Sequence, residues 1–245
     1  MRARTRAGRL GALDAWLVHE RASTLTASAL VLDVGFGLEP VTTEELARAV
    51  RAVQPALRVV GVERDAARVV AGQGVEVVRG DFASLAGLGP AGVVRAMNVL
   101  RGYREDEVPA IHAALGAALA DGGVLLEGST DAEGHVTAAW LFSRRGGVVA
   151  REALLFHTDF SRGFSPWLFR DVLPRDLRRR VKPGEPVHRF LSAWAAAADA
   201  GGVGRSPAER FAASLPGVDG LEATDWERAH GYARWRKAGG FGEAR

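Results

Sequence analysis

The 245-residue chain contains no cysteine. This absence excludes a disulfide framework, a thiolate-bound zinc or iron–sulfur centre, and a cysteine nucleophile. The sequence also lacks the roughly 18 uninterrupted apolar residues that a membrane helix requires. The basic N-terminus resembles the start of a targeting signal, but Asp14, His19, Glu20 and Arg21 interrupt the segment that would have to be apolar. We therefore expect a cytoplasmic protein with no membrane partner.

Lysine is nearly absent, because 30 of the 32 basic residues are arginine. The net charge is only +3, and 47% of the residues are hydrophobic, as in an ordinary globular protein. The charge is unevenly distributed: residues 31–159 carry 12 basic and 17 acidic side chains, whereas residues 160–190 carry 8 and 3. An acidic middle followed by a basic segment indicates two parts with different roles.

From Leu30 onward, short apolar runs alternate with amphipathic segments. The expected strands are residues 30–34, 57–62, 75–78, 93–97 and 124–126, and the expected helices are 43–53, 65–71 and 105–120. Thr42 and Glu45 are spaced as a capping box, Pro55 would end that helix, and Gly122–Gly123 would close the helix before the fifth strand. Apolar runs separated by helices predict a doubly wound α/β fold, with a mostly parallel sheet and helices on both faces.

Both ends of the chain differ from this central pattern. Leu10, Leu13, Trp16 and Leu17 have helical spacing, which predicts an N-terminal helix. Residues 136–142 and 148–156, joined through Gly146–Gly147, predict an antiparallel hairpin at the edge of the sheet. The remainder has the pattern of short helices. We therefore expect an N-terminal helix in residues 1–29, a Rossmann-like core in residues 30–159, and a helical extension packed on that core in residues 160–245.

Polar residues and glycines follow four of the expected strands, at the edge where open parallel sheets bind ligands. They are Asp33, Gly35, Phe36 and Gly37 after the first strand, Glu63 and Arg64 after the second, Asp81 and Phe82 after the third, and Asn98 after the fourth. The glycine pair lacks the third glycine of the dinucleotide fingerprint, since Pro40 stands three residues after Gly37. The order of the four motifs discriminates better than any single one.

This ordered set resembles the class I S-adenosylmethionine-dependent methyltransferases over about residues 30–130. The resemblance implies S-adenosylmethionine as the cofactor, with Gly35 and Gly37 letting the backbone approach its methionine part and Phe36 in the same turn. It implies further that Asp33 serves the amino group, Glu63 both ribose hydroxyls and Asp81 the adenine amino group. Phe82 would supply a backbone donor, Arg64 or Phe82 an adenine-facing surface, and Asn98 would lie beside the methionine tail. Across the chain, including residues 95–101 and 183–188, the sequence also resembles methylase-like proteins of GC-rich bacteria, which implies no substrate.

One departure from the family pattern concerns the glycine loop. Glu39 stands where the family has its third glycine, and a carboxylate there would repel the methionine carboxylate unless the loop bends away or a cation intervenes. A tight turn without a ligand is the alternative interpretation of the glycine pair. For the whole protein, the alternatives to a methyltransferase are a non-catalytic S-adenosylmethionine-binding or interaction module and an NAD(P)-dependent enzyme.

Our leading hypothesis for the methyl acceptor is a small molecule or RNA, and two subclasses of methyltransferase are excluded. Without cysteine, the pyrimidine-C5 enzymes that attack with a thiolate are excluded, and Asn98-Val99-Leu100 is not the Pro-Pro-aromatic motif of amino-group methyltransferases. Tyr103, Glu127, His135 and His157 are candidate acid–base groups, each with a structural interpretation as well. No catalytic residue and no metal ligand is assigned.

Two further features concern arginine. Residues 160–189 combine eight basic residues with Phe164, Trp167 and Phe169, which fits either phosphates and stacked bases or a helical cap with its arginines in water. Arg95 lies within an apolar strand, where an unpaired guanidinium would have a large desolvation cost. We therefore predict that it pairs with Asp33, Glu127 or Glu39 at the floor of the cleft; the alternative is that it reaches water.

Overall fold

The computed structural model describes residues 6–68, 73–200 and 204–237. Within these residues, nine strands form one sheet in the order β3-β2-β1-β4-β5-β6-β7-β9-β8. The strands are β1 Leu30–Val34, β2 Arg58–Glu63, β3 Glu76–Arg79, β4 Ala91–Met97, β5 Leu119–Thr130, β6 Val136–Arg145, β7 Val148–Thr158, β8 Leu221–Glu222 and β9 Tyr232–Trp235. Strands β1 to β5 pair in parallel, and the pairs from β5 to β8 are antiparallel. The predicted α/β fold is therefore confirmed.

Helices cover both faces of the sheet, as predicted. The α-helices are α1 Gly11–Glu20, α2 Ala22–Thr26, α3 Val41–Val53, α4 Val108–Ala117, α5 Arg175–Arg178, α6 Pro186–Ala200, α7 Pro207–Ser214 and α8 Asp225–Ala229. One core joins α1, α2 and α3 to the sheet through residues such as Trp16, Leu25 and Leu46. The other joins α4, α6 and α7 to the opposite face through residues such as Leu115, Trp194 and Phe211. None of the helices in the described residues combines the length and apolar character that a bilayer crossing requires.

Several local expectations were wrong for identifiable reasons. The Thr42–Glu45 capping box does not form, because α3 begins after Pro40 and Glu45 Oε1 instead accepts a hydrogen bond from the Gly8 amide at 2.8 Å. Gly122 and Gly123 do not end a helix; they lie inside β5. A Cβ on Gly123 would lie 2.8 Å from the Ala91 carbonyl oxygen, so the glycine permits a close strand approach. The helix predicted for residues 65–71 is a 3-10 turn at Ala66–Arg68, and residues 69–71 lie outside the described residues.

The C-terminal part is not helical throughout, contrary to expectation. The predicted hairpin of β6 and β7 is confirmed, but the sheet continues beyond it through β9 and β8. The chain between β7 and β8 contributes an aromatic cluster that packs on the sheet. Trp194 is fully buried, its ring is stacked on Phe169 at 5.4 Å, and its indole nitrogen donates to Ser214 Oγ at 2.8 Å. The boundary expected between residues 159 and 160 stays a prediction.

Substitution Trp194→Ala tests how far the C-terminal part stabilises the fold. We expect the free energy of unfolding to fall by about 3–5 kcal/mol, because a large buried ring is removed and a cavity remains. Trp167→Ala is the matched control, since Trp167 is 37% exposed, and its effect should stay within about 1 kcal/mol. Denaturant unfolding measures the free energy of unfolding of both variants. A loss for Trp194→Ala as small as that for the control would show that residues 160–237 add little stability to the sheet.

Candidate functional site

A cleft lies at the carboxyl ends of β1, β2 and β4 and has two adjoining compartments. The Arg101 compartment has a volume of about 260 Å³ and is lined by Arg9, Leu10, Asp33, Val34, Gly35, Phe36, Gly37, Thr42, Arg68, Met97, Asn98 and Arg101. The Glu63 compartment has a volume of about 200 Å³ and is lined by Val34, Gly35, Val62, Glu63, Arg64, Arg68, Gly80, Asp81, Phe82, Asn98, Val99 and Tyr103. Every predicted cofactor-binding residue therefore lines one compartment or both.

The glycine turn after β1 forms the wall between the two compartments. Gly35 and Gly37 have φ angles of +74° and +91°, which side chains rarely adopt. A Cβ on Gly35 would lie 2.7 Å from Val99 Cγ2, so the glycine lets the Val99 side chain pack directly against the turn. The Gly37 amide donates to Glu63 Oε2 at 3.1 Å, which ties the turn to the end of β2.

Glu63 is held in place by the backbone on both sides. It is 8% exposed, and its second oxygen, Oε1, accepts a hydrogen bond from the Asp65 amide at 3.1 Å. Each carboxylate oxygen therefore takes one backbone hydrogen bond and retains capacity for another. A fixed pair of acceptors at this edge of the sheet suits a vicinal diol.

Asp81 and its neighbours form the outer wall of the Glu63 compartment. Asp81 Oδ1 accepts from the Ala83 and Ser84 amides at 3.1 Å each and caps the 3-10 helix Phe82–Leu88, so both capping bonds use one oxygen. The Phe82 ring lies 5.5 Å from the Tyr103 ring, and the Arg64 guanidinium lies 5.8 Å from the centre of that ring. The compartment thus combines flat apolar surfaces with an exposed carboxylate.

Asn98 follows β4 in a conformation that is uncommon outside glycine. Its φ angle is +62°, a left-handed value that asparagine tolerates better than most residues. Its side-chain oxygen accepts from the Thr130 amide at 3.1 Å, and its own amide donates to the Gly128 carbonyl at 2.7 Å. These two bonds to the end of β5 hold Asn98 where the two compartments meet. Backbone strain of this kind is concentrated at functional sites.

Two of the predicted site residues have a stronger structural role than expected. The Phe36 ring is 4% exposed and packs over Gly61, where a Cβ would lie 3.0 Å from its Cδ1 atom. Asp33 is 2% exposed, and its Oδ2 accepts from the Thr43 hydroxyl at 2.6 Å. Their side chains therefore support the cleft from below, and their contact with a cofactor stays a prediction.

Arg95 pairs with Asp33, as predicted, at the floor of the cleft. The guanidinium is fully buried, and Nε and Nη2 donate to the two oxygens of Asp33 at 2.8 Å each. Nη2 also donates to the Thr42 carbonyl at 2.8 Å. The alternative that Arg95 reaches water is wrong. Neither of the other two predicted partners is involved, because Glu127 is bonded to His112 at 3.0 Å and Glu39 is exposed.

A second partner of Arg95 was missed from the sequence. Asp14 of α1 accepts a hydrogen bond from Arg95 Nη1 through Oδ1, while its Oδ2 is buried with no hydrogen-bond partner in the described residues. Burial raises the pKa of Asp14 to about 6, although the positive charge of Arg95 acts in the opposite direction. An acid at position 14 gave no signal, because its partner lies 81 residues away.

Glu39 does not face either compartment. It is exposed, and the chain turns away after Gly37 into the proline that precedes α3. The expected repulsion of a bound carboxylate therefore does not arise. Instead, the Arg101 compartment is lined by three arginines that sequence reasoning did not assign: Arg9, Arg68 and Arg101.

Two arginines of the cleft, Arg9 and Arg101, are held in place by backbone carbonyl and hydroxyl oxygens. Arg101 donates to Ser129 Oγ at 2.9 Å and to the Thr130 carbonyl at 2.6 Å, and Arg9 donates to the Asp131 carbonyl at 2.8 Å. Burial lowers the pKa of Arg101 to about 10, and the charges of Arg9 and Arg178 act in the same direction. This compartment is therefore suited to an anionic group.

Of the four candidate acid–base groups, Tyr103 alone lines the cleft as described. His135 lies outside both compartments and pairs with Asp159 at a distance of 2.6 Å. His157 lies in β7 beside Tyr232, and burial lowers its pKa to about 4. Burial also raises the pKa of Glu127, which shares a buried network with His112. The structural interpretation therefore describes His135, His157 and Glu127 better than a catalytic one.

Comparisons with known proteins add a likeness in structure. No family model and no curated protein matches the chain. Human N-acetylserotonin methyltransferase, solved with SAM, is similar over 49% of this chain and 36% of its own, at 18% identity and a TM-score of 0.34. Magnesium protoporphyrin IX methyltransferase from Synechocystis, solved with SAH, is similar over 49% of this chain and 53% of its own, at 23% identity and a TM-score of 0.37. The chain thus spans less than two thirds of either protein, and likeness of this degree does not establish a function.

Substitution Arg95→Met tests the buried ion pairs. We expect the free energy of unfolding to fall by about 3–5 kcal/mol, because two carboxylates would remain buried without their cation. Arg58→Met is the control, since Arg58 pairs with Glu76 at the surface, and its effect should stay below about 1 kcal/mol. Urea unfolding measures both variants. A similar loss of unfolding free energy in the two would show that the buried ion pairs of Arg95 add no more stability than a surface pair.

Asp14 predicts a defined pH dependence. Its folded pKa of about 6 lies above the ordinary value of 3.8, so the folded state binds this proton more tightly. The carboxyl therefore contributes stability below about pH 4, and that contribution is lost as the pH rises through 6. The stability of the wild type relative to Asp14→Asn should thus fall by about 1–3 kcal/mol between pH 4 and pH 7. Parallel stability curves for the two proteins would contradict this assignment.

Proposed function

We propose that the protein is an S-adenosylmethionine-dependent methyltransferase. The observation that carries the proposal is the Glu63 compartment, which gathers a fixed carboxylate, an outer carboxylate and two aromatic rings beside a glycine turn. A diol, a purine and an amino acid are the three parts of the cofactor, and each finds complementary groups in adjoining parts of the cleft. The tight turn alone, without a ligand, accounts for the positive φ of Gly35 but not for this convergence.

The residues present fit the cofactor. Glu63 would hold the ribose hydroxyls, and Asp81 with the Phe82 backbone would hold the adenine edge, between surfaces supplied by Phe82 and Tyr103. Gly35, Gly37 and Asn98 would border the methionine part. Arg101 and Arg9 would receive its carboxylate, the group that Glu39 was expected to repel.

When bound, S-adenosylmethionine supplies an activated methyl group on a positively charged sulfur. The chain's own contribution is to position the reactants and exclude water, and such positioning supplies much of the rate of an in-line displacement. Arg95 keeps Asp33 paired below the cleft, so that this carboxylate adds little free negative charge near the methionine part. Tyr103 is the hydroxyl at the cleft that could take part in proton transfer, and Arg64 Nη1 donates to it at 3.1 Å.

The acceptor that we propose is a small molecule or RNA. The alternative is a non-catalytic binding module. Two features of the sequence favour it: Glu39 in the glycine loop and the lack of an identifiable general base. The first reason weakens because Glu39 faces solvent. Transfer of a labelled methyl group into the RNA, protein or small-molecule fraction of a cell extract separates the two functions, since the module would incorporate none.

Calorimetric titration with S-adenosylhomocysteine tests the binding site. We expect the wild type to bind, and we expect Glu63→Ala and Asp81→Ala each to raise the dissociation constant at least about ten-fold, equivalent to about 1.4 kcal/mol. Each variant lacks one acceptor, so binding would bury polar groups of the ligand without a hydrogen-bond partner.

Glu39→Ala is the matched control for the lost negative charge, because Glu39 is exposed and outside both compartments. Its affinity should equal that of the wild type. The proposal would fail if the wild type did not bind at millimolar ligand, or if NADPH bound in its place with the same dependence on Glu63.

A further inference from the structure

Four arginines surround a hollow outside the cofactor cleft. We call Arg170, Arg175, Arg178 and Arg179 the arginine cluster; with Asp171 they line a hollow of about 330 Å³. Arg170 belongs to the 3-10 helix Pro166–Val172, and Arg175 and Arg178 belong to α5. The proline between these two short helices brings their arginines to one place rather than along a stripe.

The positive charge of the arginine cluster is poorly neutralised. Within the described residues, Arg170 and Arg178 form no ion pair, and Arg179 has only a long one, 3.8 Å from Glu105 between exposed side chains. Asp176, the acid of α5, is engaged elsewhere: it accepts from Arg151 at 2.7 Å and from the Trp140 indole at 2.9 Å. Guanidinium groups gathered in this way repel one another unless an anion joins them.

The arginine cluster adjoins the cofactor cleft. Arg175 Nε donates to the Tyr103 carbonyl oxygen at 2.7 Å, and Tyr103 also lines the Glu63 compartment. Arg178 lies close enough to Arg101 for its charge to lower the pKa of that residue, which lines the other compartment. A molecule held at the cluster would therefore have its remaining part near the mouth of the cleft.

The aromatic residues of the same segment do not provide base stacking. Phe164 and Phe169 are 5% and 0% exposed and belong to the core, while Trp167 is partly exposed. The helical-cap interpretation is therefore right for these two phenylalanines. What remains for a ligand is a compact set of guanidinium groups, whose fork geometry matches the oxygens of phosphate.

We propose that the arginine cluster binds a phosphate group of the methyl acceptor. This inference rests on the proposed function, because it assumes that the protein has a methyl acceptor. Phosphate binding at the arginine cluster can be measured separately. The phosphate can belong to a small phosphorylated molecule or to the backbone of RNA, and the hollow holds the same chemical group in both cases.

The experiment compares two probes, inorganic pyrophosphate and a short oligouridylate, by calorimetry at low ionic strength. The variant is Arg178→Gln with Arg179→Gln, and the control is Arg48→Gln with Arg205→Gln. The control removes the same amount of charge from exposed arginines that form no ion pair in the described residues. We expect at least one probe to bind the wild type, with a dissociation constant that rises at least about ten-fold in the cluster variant and less than about two-fold in the control.

The probe that shows this difference identifies the source of the phosphate. The proposal is overturned if neither probe binds the wild type, or if the control weakens binding as much as the cluster variant does. Titration of the same variants with S-adenosylhomocysteine keeps the two proposals apart. The cluster variant should bind it as the wild type does, and failure of the wild type to bind it would refute the proposed function while leaving the phosphate measurement to stand by itself.

Discussion

The ion pair between Arg95 and Asp33 is the interaction on which the rest of the cleft depends. The two residues are neighbours in the register of β4 and β1, so their side chains leave the sheet together on one face. Through Asp14 the same guanidinium reaches α1, and through the Thr42 carbonyl it reaches α3. A single buried cation thus fixes two strands and two helices directly below the glycine turn. Since arginine does not lose its proton at ordinary pH, the arrangement is held by charge as well as by packing.

Above this floor, the two compartments differ in their charged lining. The carboxylates of Glu63 and Asp81 line one compartment together with Arg64 and Arg68, whereas Arg9, Arg68 and Arg101 line the other above the paired Asp33. A ligand with hydroxyl and amino groups at one end and a carboxylate at the other is complementary to this distribution. Most of the positive side comes from residues outside the strand-end motifs, which explains why the protein tolerates an acid at position 39. That acid lies on the outer surface, and the cations face inward.

The sequence predicted the sheet well, because buried parallel strands are almost continuously apolar and their ends carry polar residues. The five parallel strands, the hairpin and the partner of Arg95 followed from such patterns. Features that depend on distant contacts did not. Asp14 gave no signal in α1, and β9 is a short run whose pairing with β7 is set by tertiary packing. Thr42 and Glu45 had the right spacing for a cap, but α3 begins earlier, at Val41, and Glu45 Oε1 accepts a tertiary hydrogen bond from the Gly8 amide instead. Arg9, Arg68 and Arg101 were missed for a related reason: a surface arginine and a cleft arginine cannot be distinguished in the sequence before the fold brings their neighbours together.

If one ligand spans both compartments, a crystal structure of the protein with S-adenosylhomocysteine will show it. We expect the ribose hydroxyls within hydrogen-bonding distance of Glu63, the adenine beside Phe82 and Tyr103, and the carboxylate at Arg101 or Arg9. A ligand bound elsewhere, or bound with its carboxylate in the Glu63 compartment, would refute a shared site.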